Sequence, residues 1–258
     1  MLYETIRYAV REDIAIVQFD RPEVMNALST QMRAEITHAA KRAPDEARVL
    51  VLTGKGRAFC SGQDLGDSRS IAATDLERTL RDEYIPMIRA VSECAVPTIA
   101  AVNGPAAGAG ANLALAADVV VASEEASFLQ AFARIGLIPD AGGTYWLPRQ
   151  IGFARAMGTA LFAEPVPARQ AAEWGMIWEA VPPESFADAW WARARHLAAG
   201  PTATYRNIKR ALRAGLANDV ESQLLLEAEL QGELGETRDF REGVLAFLEK
   251  RQARFEGR

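Results

Sequence analysis

The sequence predicts an α/β core followed by a more helical C-terminal region, and three observations carry that prediction. Short apolar runs of strand length alternate with helix-like stretches through the first half of the chain. Two of these runs end in turns built from glycine, alanine and other small residues. Beyond residue 143 the pattern becomes largely helical, with residues 176–181 as one further strand candidate. The 258 residues, 49% of them apolar, suffice for one large unit with a sizeable core. The expected division is a core over 1–200 and a helical region over 201–258 that packs on it, punctuated by Gly200-Pro201.

Taken in order, residues 3–9 and 14–19 read as strands split by the polar turn Arg11-Glu12-Asp13. In the second strand Ile14, Ile16 and Gln18 share one face, and Ala15, Val17 and Phe19 the other. Asp20-Arg21-Pro22 stops it. Ser29 is a good N-cap for a helix reaching about residue 41, with Met32, Ile36 and Ala39 on its apolar stripe. Residues 49–52 form a strand bounded by Gly54 and Gly56. A helix over residues 72–93 is expected to bend near Pro86. Residues 97–102 make a buried strand that ends at Asn103-Gly104-Pro105. Gly108 then opens a small-residue helix to about residue 116, and residues 119–122 form another strand.

Charge and cysteine content narrow the function classes. The 34 acidic and 29 basic side chains leave a net charge of -5, which does not advertise a nucleic-acid surface. Cys60 and Cys94 cannot build a disulfide framework, and reduced thiols suit the cytosol. The N-terminus lacks an apolar signal core, and no run of about 18 apolar residues follows. A cytoplasmic protein with no membrane partner is the expectation. Gly108-Ala109-Gly110 lacks the third glycine of a dinucleotide fingerprint, and Gly54-Lys55-Gly56 lacks the P-loop ending. His38 and His196 lie far apart in predicted helices and read as surface or packing residues. No cysteine–histidine–carboxylate spacing suggests zinc.

The chemistry concentrates in two turns, residues 59–65 (Phe-Cys-Ser-Gly-Gln-Asp-Leu) and residues 103–112 (Asn-Gly-Pro-Ala-Ala-Gly-Ala-Gly-Ala-Asn). Small residues let the backbone approach a ligand closely, and amides at a helix start favour negative charge. If the turns converge, their N–H groups can hold an oxygen that gains charge in a transition state. On the residues alone, either turn could equally be a tight connection. Asp140, in Leu137-Ile138-Pro139-Asp140-Ala141-Gly142-Gly143, is a carboxylate that could serve as a base or cap the helix beginning near Gly143. Asp64 could be an acid or steady its own loop. Cys60 has no sequence-linked histidine to activate it. Phe132, Tyr145 and Trp146 could shape an aromatic pocket or fill the core.

Those motifs, together with Arg21-Pro22, Asn26-Ala27-Leu28 and the run from Gly136 to Thr144, make residues 3–254 resemble the enoyl-CoA hydratase/isomerase (crotonase) superfamily. The resemblance implies a spiral ββα core, a helical C-terminal trimerisation region, and trimers that often pair into hexamers. It implies an acyl-CoA thioester as substrate, with coenzyme A part of that substrate and no separate cofactor. It places the oxyanion-hole amides at Gln63 and Ala109, with Gly62, Gly108 and Gly110 shaping the turns. Substrate or coenzyme A contacts are implied at Ala27, Ser61, Asp64, Leu65, Asn112 and Phe132, and phosphate contacts at Arg21, Lys209 and Lys250.

Where familiar hydratases of that family carry two glutamates, this sequence has Asn112 and Phe132. Asparagine does not act as a carboxylate base, and phenylalanine transfers no proton. Asp140 matches the acidic position of several isomerase branches. The arrangement most resembles the branch that isomerises ring 1,2-epoxyphenylacetyl-CoA to an oxepin thioester in phenylacetate degradation, with movement of a 3-enoyl double bond as a related activity. The alternatives are an enoyl-CoA hydratase or another acyl-CoA enzyme of the family and, more remotely, a non-catalytic acyl-CoA-binding trimer.

Overall fold

The computed structural model describes residues 2–66 and 75–258. Strand β1 (Ile6–Arg11) pairs antiparallel with β2 (Ile14–Phe19). Glu12 and Asp13 between them both take left-handed φ values, 51° and 59°, the backbone of the tight two-residue hairpin turn. The first strand starts three residues later than the sequence suggests. The Glu35 carboxylate accepts hydrogen bonds from the Glu4 and Thr5 amides and the Thr5 hydroxyl, so these amides are spent on a side chain before the strand begins.

Four parallel pairings extend the sheet in the order β1-β2-β3-β4-β6-β9, with β3 (Val49–Gly54), β4 (Thr98–Val102), β6 (Val119–Ser123) and β9 (Glu179–Val181). Both faces are covered, which is why the inner strands read as unbroken apolar runs. Ala15, Val17, Phe19, Leu50, Leu52, Ala100 and Val102 face one core. Ile14, Val49, Val51, Ile99, Ala101 and Val121 face a smaller one closed by Ala194 and Ala198 of α8 (Phe186–Ala198). A second small sheet, β5 (Ala106–Ala107), β7 (Ser127–Leu129) and β8 (Val166–Pro167), stands beside the first.

Helix α1 (Thr30–Glu46) begins where the Ser29 hydroxyl accepts the Met32 amide, and Met32, Ile36 and Ala39 are buried as the stripe predicts. It runs past residue 41 and through Pro44. Proline has no N–H for the Ala40 carbonyl; that oxygen instead accepts the Cys94 thiol at 3.7 Å. The expected bend near Pro86 falls just ahead of it. Between α2 (Leu76–Thr79) and α3 (Ile85–Ser92) one π-helical turn, Leu80–Tyr84, widens the helix as Pro86 enters its first turn. The sequence's start for this helix, residue 72, lies outside the described residues.

The C-terminal part comprises α9 (Thr202–Ala214), α10 (Val220–Gly235) and α11 (Arg238–Leu248). Asp118 ties it to the core: its carboxylate pairs with Lys209 at 2.6 Å and Arg213 at 2.7 Å while accepting the Thr98 amide at 2.8 Å. Leu230 is buried, whereas Leu212, Val220, Leu224, Leu225, Phe247 and Leu248 are more than half exposed.

Candidate active site

The first small-residue turn leaves β3 and is shaped by side-chain amides. Asn103 accepts the Gly54 N–H at 3.0 Å and donates to the Gly56 and Ala58 carbonyls. Asn26 donates to the Lys55 and Ala58 carbonyls and accepts the Arg21 amide. The turn is then stitched on two sides, through single bridges from Cys60 to Ala106 and from Leu28 to Gln63. Leu28 donates to the Gly62 carbonyl and accepts the Asp64 amide, bonds that flank Gln63 and leave its N–H unused.

The second turn runs through Gly108 (φ 53°) into α4 (Ala109–Leu115), whose first helical bond goes from the Asn112 amide to the Gly108 carbonyl. The Ala109 amide precedes that bond. Among the described residues, neither the Gln63 nor the Ala109 N–H has a hydrogen-bond acceptor. The turns touch. Gly62 has φ 94°, and a methyl group there would sit 2.9 Å from the Ala107 carbonyl oxygen and 3.6 Å from the Ala109 nitrogen. A methyl on Gly110 would sit 2.4 Å from the Cys60 carbonyl oxygen and 2.6 Å from its sulfur. Glycine is required at both positions by this approach, and the result is two adjoining turns whose Gln63 and Ala109 amides have no acceptor among the described residues.

Asp140 lies on the loop before α5 (Gly143–Ile151), where Ala141 and Gly142 both adopt left-handed φ values, 48° and 87°. The Asp140 carbonyl accepts the Gly143 amide at 2.8 Å and the Asn112 side-chain amide at 2.8 Å. Gly142 is the N-cap of α5, with no side-chain cap bond, so the carboxylate does not cap this helix. Asp140 Oδ1 is instead buried without a partner. Burial pushes the carboxyl pKa up to about 6, against the opposing pull of its own backbone amide. It borders a cavity of about 320 Å³ whose other walls are Leu80, Tyr84, Ile85, Ile88, Arg89, Ala141 and Gly142. Asp140 is the one carboxylate among those lining residues.

Several expected contacts are placed differently. Asn112 is fully buried with a protein partner on each polar group: it donates to the Asp140 carbonyl and accepts the Gln130 side-chain amide at 2.8 Å. It holds the Asp140 loop, with both its oxygen and its nitrogen already engaged. Lys209 is likewise no phosphate ligand, because its ammonium is enclosed by Asp118 and by the Cys94 and Val96 carbonyls. Arg21 and Asp64 pair with each other at 2.7 Å, and Arg21 also donates to the Ala27 carbonyl. Asp64 therefore steadies its loop.

The remaining positions range from buried to exposed. The Ser61 hydroxyl rests on the Val24 carbonyl, Leu65 is 56% exposed, and Phe132 lies 3.7 Å from where a methyl on Gly108 would be. Lys250 sits exposed beyond the end of α11. The Cys60 thiol is pushed up to about 12 by burial, which removes it as a nucleophile. His38 hydrogen-bonds Tyr3, and His196 is exposed. Tyr145 and Trp146 stack edge to face, with Arg149 over the Tyr145 ring. Gln130 and Tyr84 were not singled out by the sequence. Gln130 is a single polar residue in the apolar run Phe128-Leu129-Gln130-Ala131-Phe132, and Tyr84 is indistinguishable in sequence from a core aromatic.

Two turns with unengaged amides, and a buried carboxylate on a loop that Asn112 ties to α4, make up the candidate site. The family model for enoyl-CoA hydratase/isomerase matches residues 9–258, and the chain belongs to that family. It is 61% identical over its whole length, and the whole of the relative, to a probable enoyl-CoA hydratase of Rhodobacter capsulatus. It is 44% identical, again over all of both chains, to the 1,2-epoxyphenylacetyl-CoA isomerase of Escherichia coli. Among solved structures, a putative enoyl-CoA hydratase from Streptomyces coelicolor is 35% identical with a TM-score of 0.94, covering 100% of this chain and 96% of that one. The protein is thus an enzyme with the crotonase fold, and its chemistry is of the hydratase/isomerase type on an acyl-CoA thioester. Similarity to the epoxide isomerase does not single out that branch, since the 61% relative carries a hydratase name. Among the described residues no helix is long and apolar enough to cross a membrane.

Proposed function

We propose that the protein is an acyl-CoA isomerase in which Asp140 is the single acid/base. The observation that carries this reading is the lone, partnerless carboxylate bordering the cavity. Asp140 takes a proton from the carbon next to the thioester carbonyl, and the bonding pair moves onto the carbonyl oxygen. The Gln63 and Ala109 amides hold that oxyanion. As the pair returns, the proton is delivered to a different carbon, which shifts a 3-enoyl double bond to the 2-position. For 1,2-epoxyphenylacetyl-CoA the same enolate drives ring opening and expansion to the oxepin. The name of the 44% identical relative supports that more specific form.

Hydration is the second reading, and the name of the 61% identical relative favours it. Against it stand Asn112, with both polar groups engaged, and Phe132, since water addition needs an activated nucleophile as well as a proton donor. Incubation with 3-enoyl-CoA, 2-enoyl-CoA and 1,2-epoxyphenylacetyl-CoA separates the two. Isomerisation without hydration supports the proposal; rapid hydration of the 2-enoyl thioester with no isomerisation refutes it.

The raised pKa of Asp140 gives the reaction a pH signature. A base works ionised, so kcat/KM is expected to fall tenfold per pH unit below about 6 and to level off above it. A profile flat from pH 5 to 8 contradicts Asp140 as the base. We also propose a trimer, or a hexamer of paired trimers, because the exposed Leu224, Leu225, Phe247 and Leu248 leave apolar surface on the C-terminal helices. Light scattering at several concentrations is expected to give a multiple of three chains; a fully active monomer refutes this.

A further inference from the structure

Tyr84 closes the π-helical turn and is 1% exposed, yet it lines the same cavity as Asp140. Its hydroxyl oxygen accepts a hydrogen bond from Arg33 Nη1 at 3.4 Å, and the Arg33 guanidinium lies 4.7 Å over its ring. Arg33 is itself fixed. It pairs with Glu83 and donates to the Leu28 carbonyl, next to the bridge that holds Gln63. The phenol is therefore held by a buried cation that also reaches the Leu28 carbonyl, the acceptor of the Asp64 amide. Arginine only donates, so the tyrosine proton is not used in this contact. Among the described residues it has no acceptor.

A buried donor without an acceptor is costly, and a protein retains such a group where something else satisfies it. Two residues lining one cavity each carry an unspent polar atom: the Tyr84 O–H, a donor, and Asp140 Oδ1, an acceptor. The remaining walls, Leu80, Ile85, Ile88, Ala141 and Gly142, are apolar apart from Arg89. The space of about 320 Å³ is ample for a ring, since a cavity of about 150 Å³ admits benzene. Burial raises the phenol pKa, with the Asp140 charge adding to that and Arg33 opposing it, so the group stays protonated and donates at neutral pH.

We propose that Tyr84 is a specificity-determining residue whose hydroxyl donates a hydrogen bond to an oxygen carried by the acyl group, so that this cavity selects oxygen-bearing acyl thioesters over hydrocarbon ones. The phenol keeps its proton throughout; the contact is recognition, not proton transfer. The inference rests on the reading above only in seating the acyl group in the cavity beside Asp140. A hydrocarbon group there leaves the phenol desolvated and unpaired, which is the penalty that makes hydrogen-bonding sites discriminate.

Calorimetric titration with (2-hydroxyphenyl)acetyl-CoA and phenylacetyl-CoA tests it. Wild type is expected to bind the hydroxylated thioester about tenfold more tightly, and Tyr84→Phe to erase that preference. Equal affinities in wild type, a preference that survives in Tyr84→Phe, or an equal loss for both ligands in the variant each overturn the proposal. Turnover of 3-enoyl-CoA by wild type and Asp140→Asn judges the isomerase reading separately, because the binding comparison requires no chemistry.

Discussion

Replacing Asp140 with Asn is expected to lower isomerase turnover by about 10²–10⁴-fold while acyl-CoA binding persists, the usual scale for loss of a general base. The side chains are nearly equal in size, so the loop held by Asn112 and Gly143 keeps its backbone bonds. What disappears is the one ionisable oxygen pair beside the cavity. Single-turnover rates on 3-enoyl-CoA, together with a binding isotherm, separate the two effects. A folded variant that keeps more than a tenth of wild-type turnover removes Asp140 from the mechanism.

Gly110→Ala is expected to be nearly as damaging for a different reason. The added methyl cannot fit 2.4 Å from the Cys60 carbonyl oxygen, so the start of α4 and the first turn must separate. On the proposed mechanism the Gln63 and Ala109 amides then no longer address one oxygen, and losing one such donor costs about 10²–10³ in kcat. Gly108→Ala provides a graded comparison. Its methyl has ordinary contact with Phe132 at 3.7 Å, so its cost comes from the positive φ alone. The expected order of kcat is wild type, then Gly108→Ala, then Gly110→Ala, with circular dichroism confirming the fold of each. A Gly110→Ala enzyme with unchanged kcat contradicts the paired-amide site.

Much of this arrangement was legible in the sequence because local chemistry determines it. Val49–Gly54, Thr98–Val102 and Val119–Ser123 lie close to the expected runs, since central parallel strands are apolar on both faces. Ser29 announces α1 by its cap. The strands β5, β7 and β8 were not legible. At two or three residues each they carry no period, and their pairing is set by the tertiary fold. The start of β1 differs from the expected one because Glu35, thirty residues away, captures the preceding amides.

The candidate site divides in the same way. Its glycine turns are visible because close backbone approach demands small residues, and Asp140 stands out as a carboxylate between a proline and a glycine pair. The roles of Asn112 and Lys209 depend on partners distant in sequence. A lysine on an amphipathic helix reads as exposed, and only the fold brings Asp118 and two carbonyls around Lys209. Tyr84 is hidden for the same reason: its ring fills the core, and only its unspent proton distinguishes it.

Deuterium exchange at the carbon beside the thioester carbonyl tests the central claim most directly, because it reports proton removal and enolate formation apart from any later step. In D₂O, wild type is expected to exchange that hydrogen in a 3-enoyl-CoA, with a rate that rises with pH through about 6. Folded Asp140→Asn that still binds the thioester is expected to lose exchange and isomerisation together. Wild-type-like exchange in that variant contradicts the account, because the proton then leaves to a group other than Asp140.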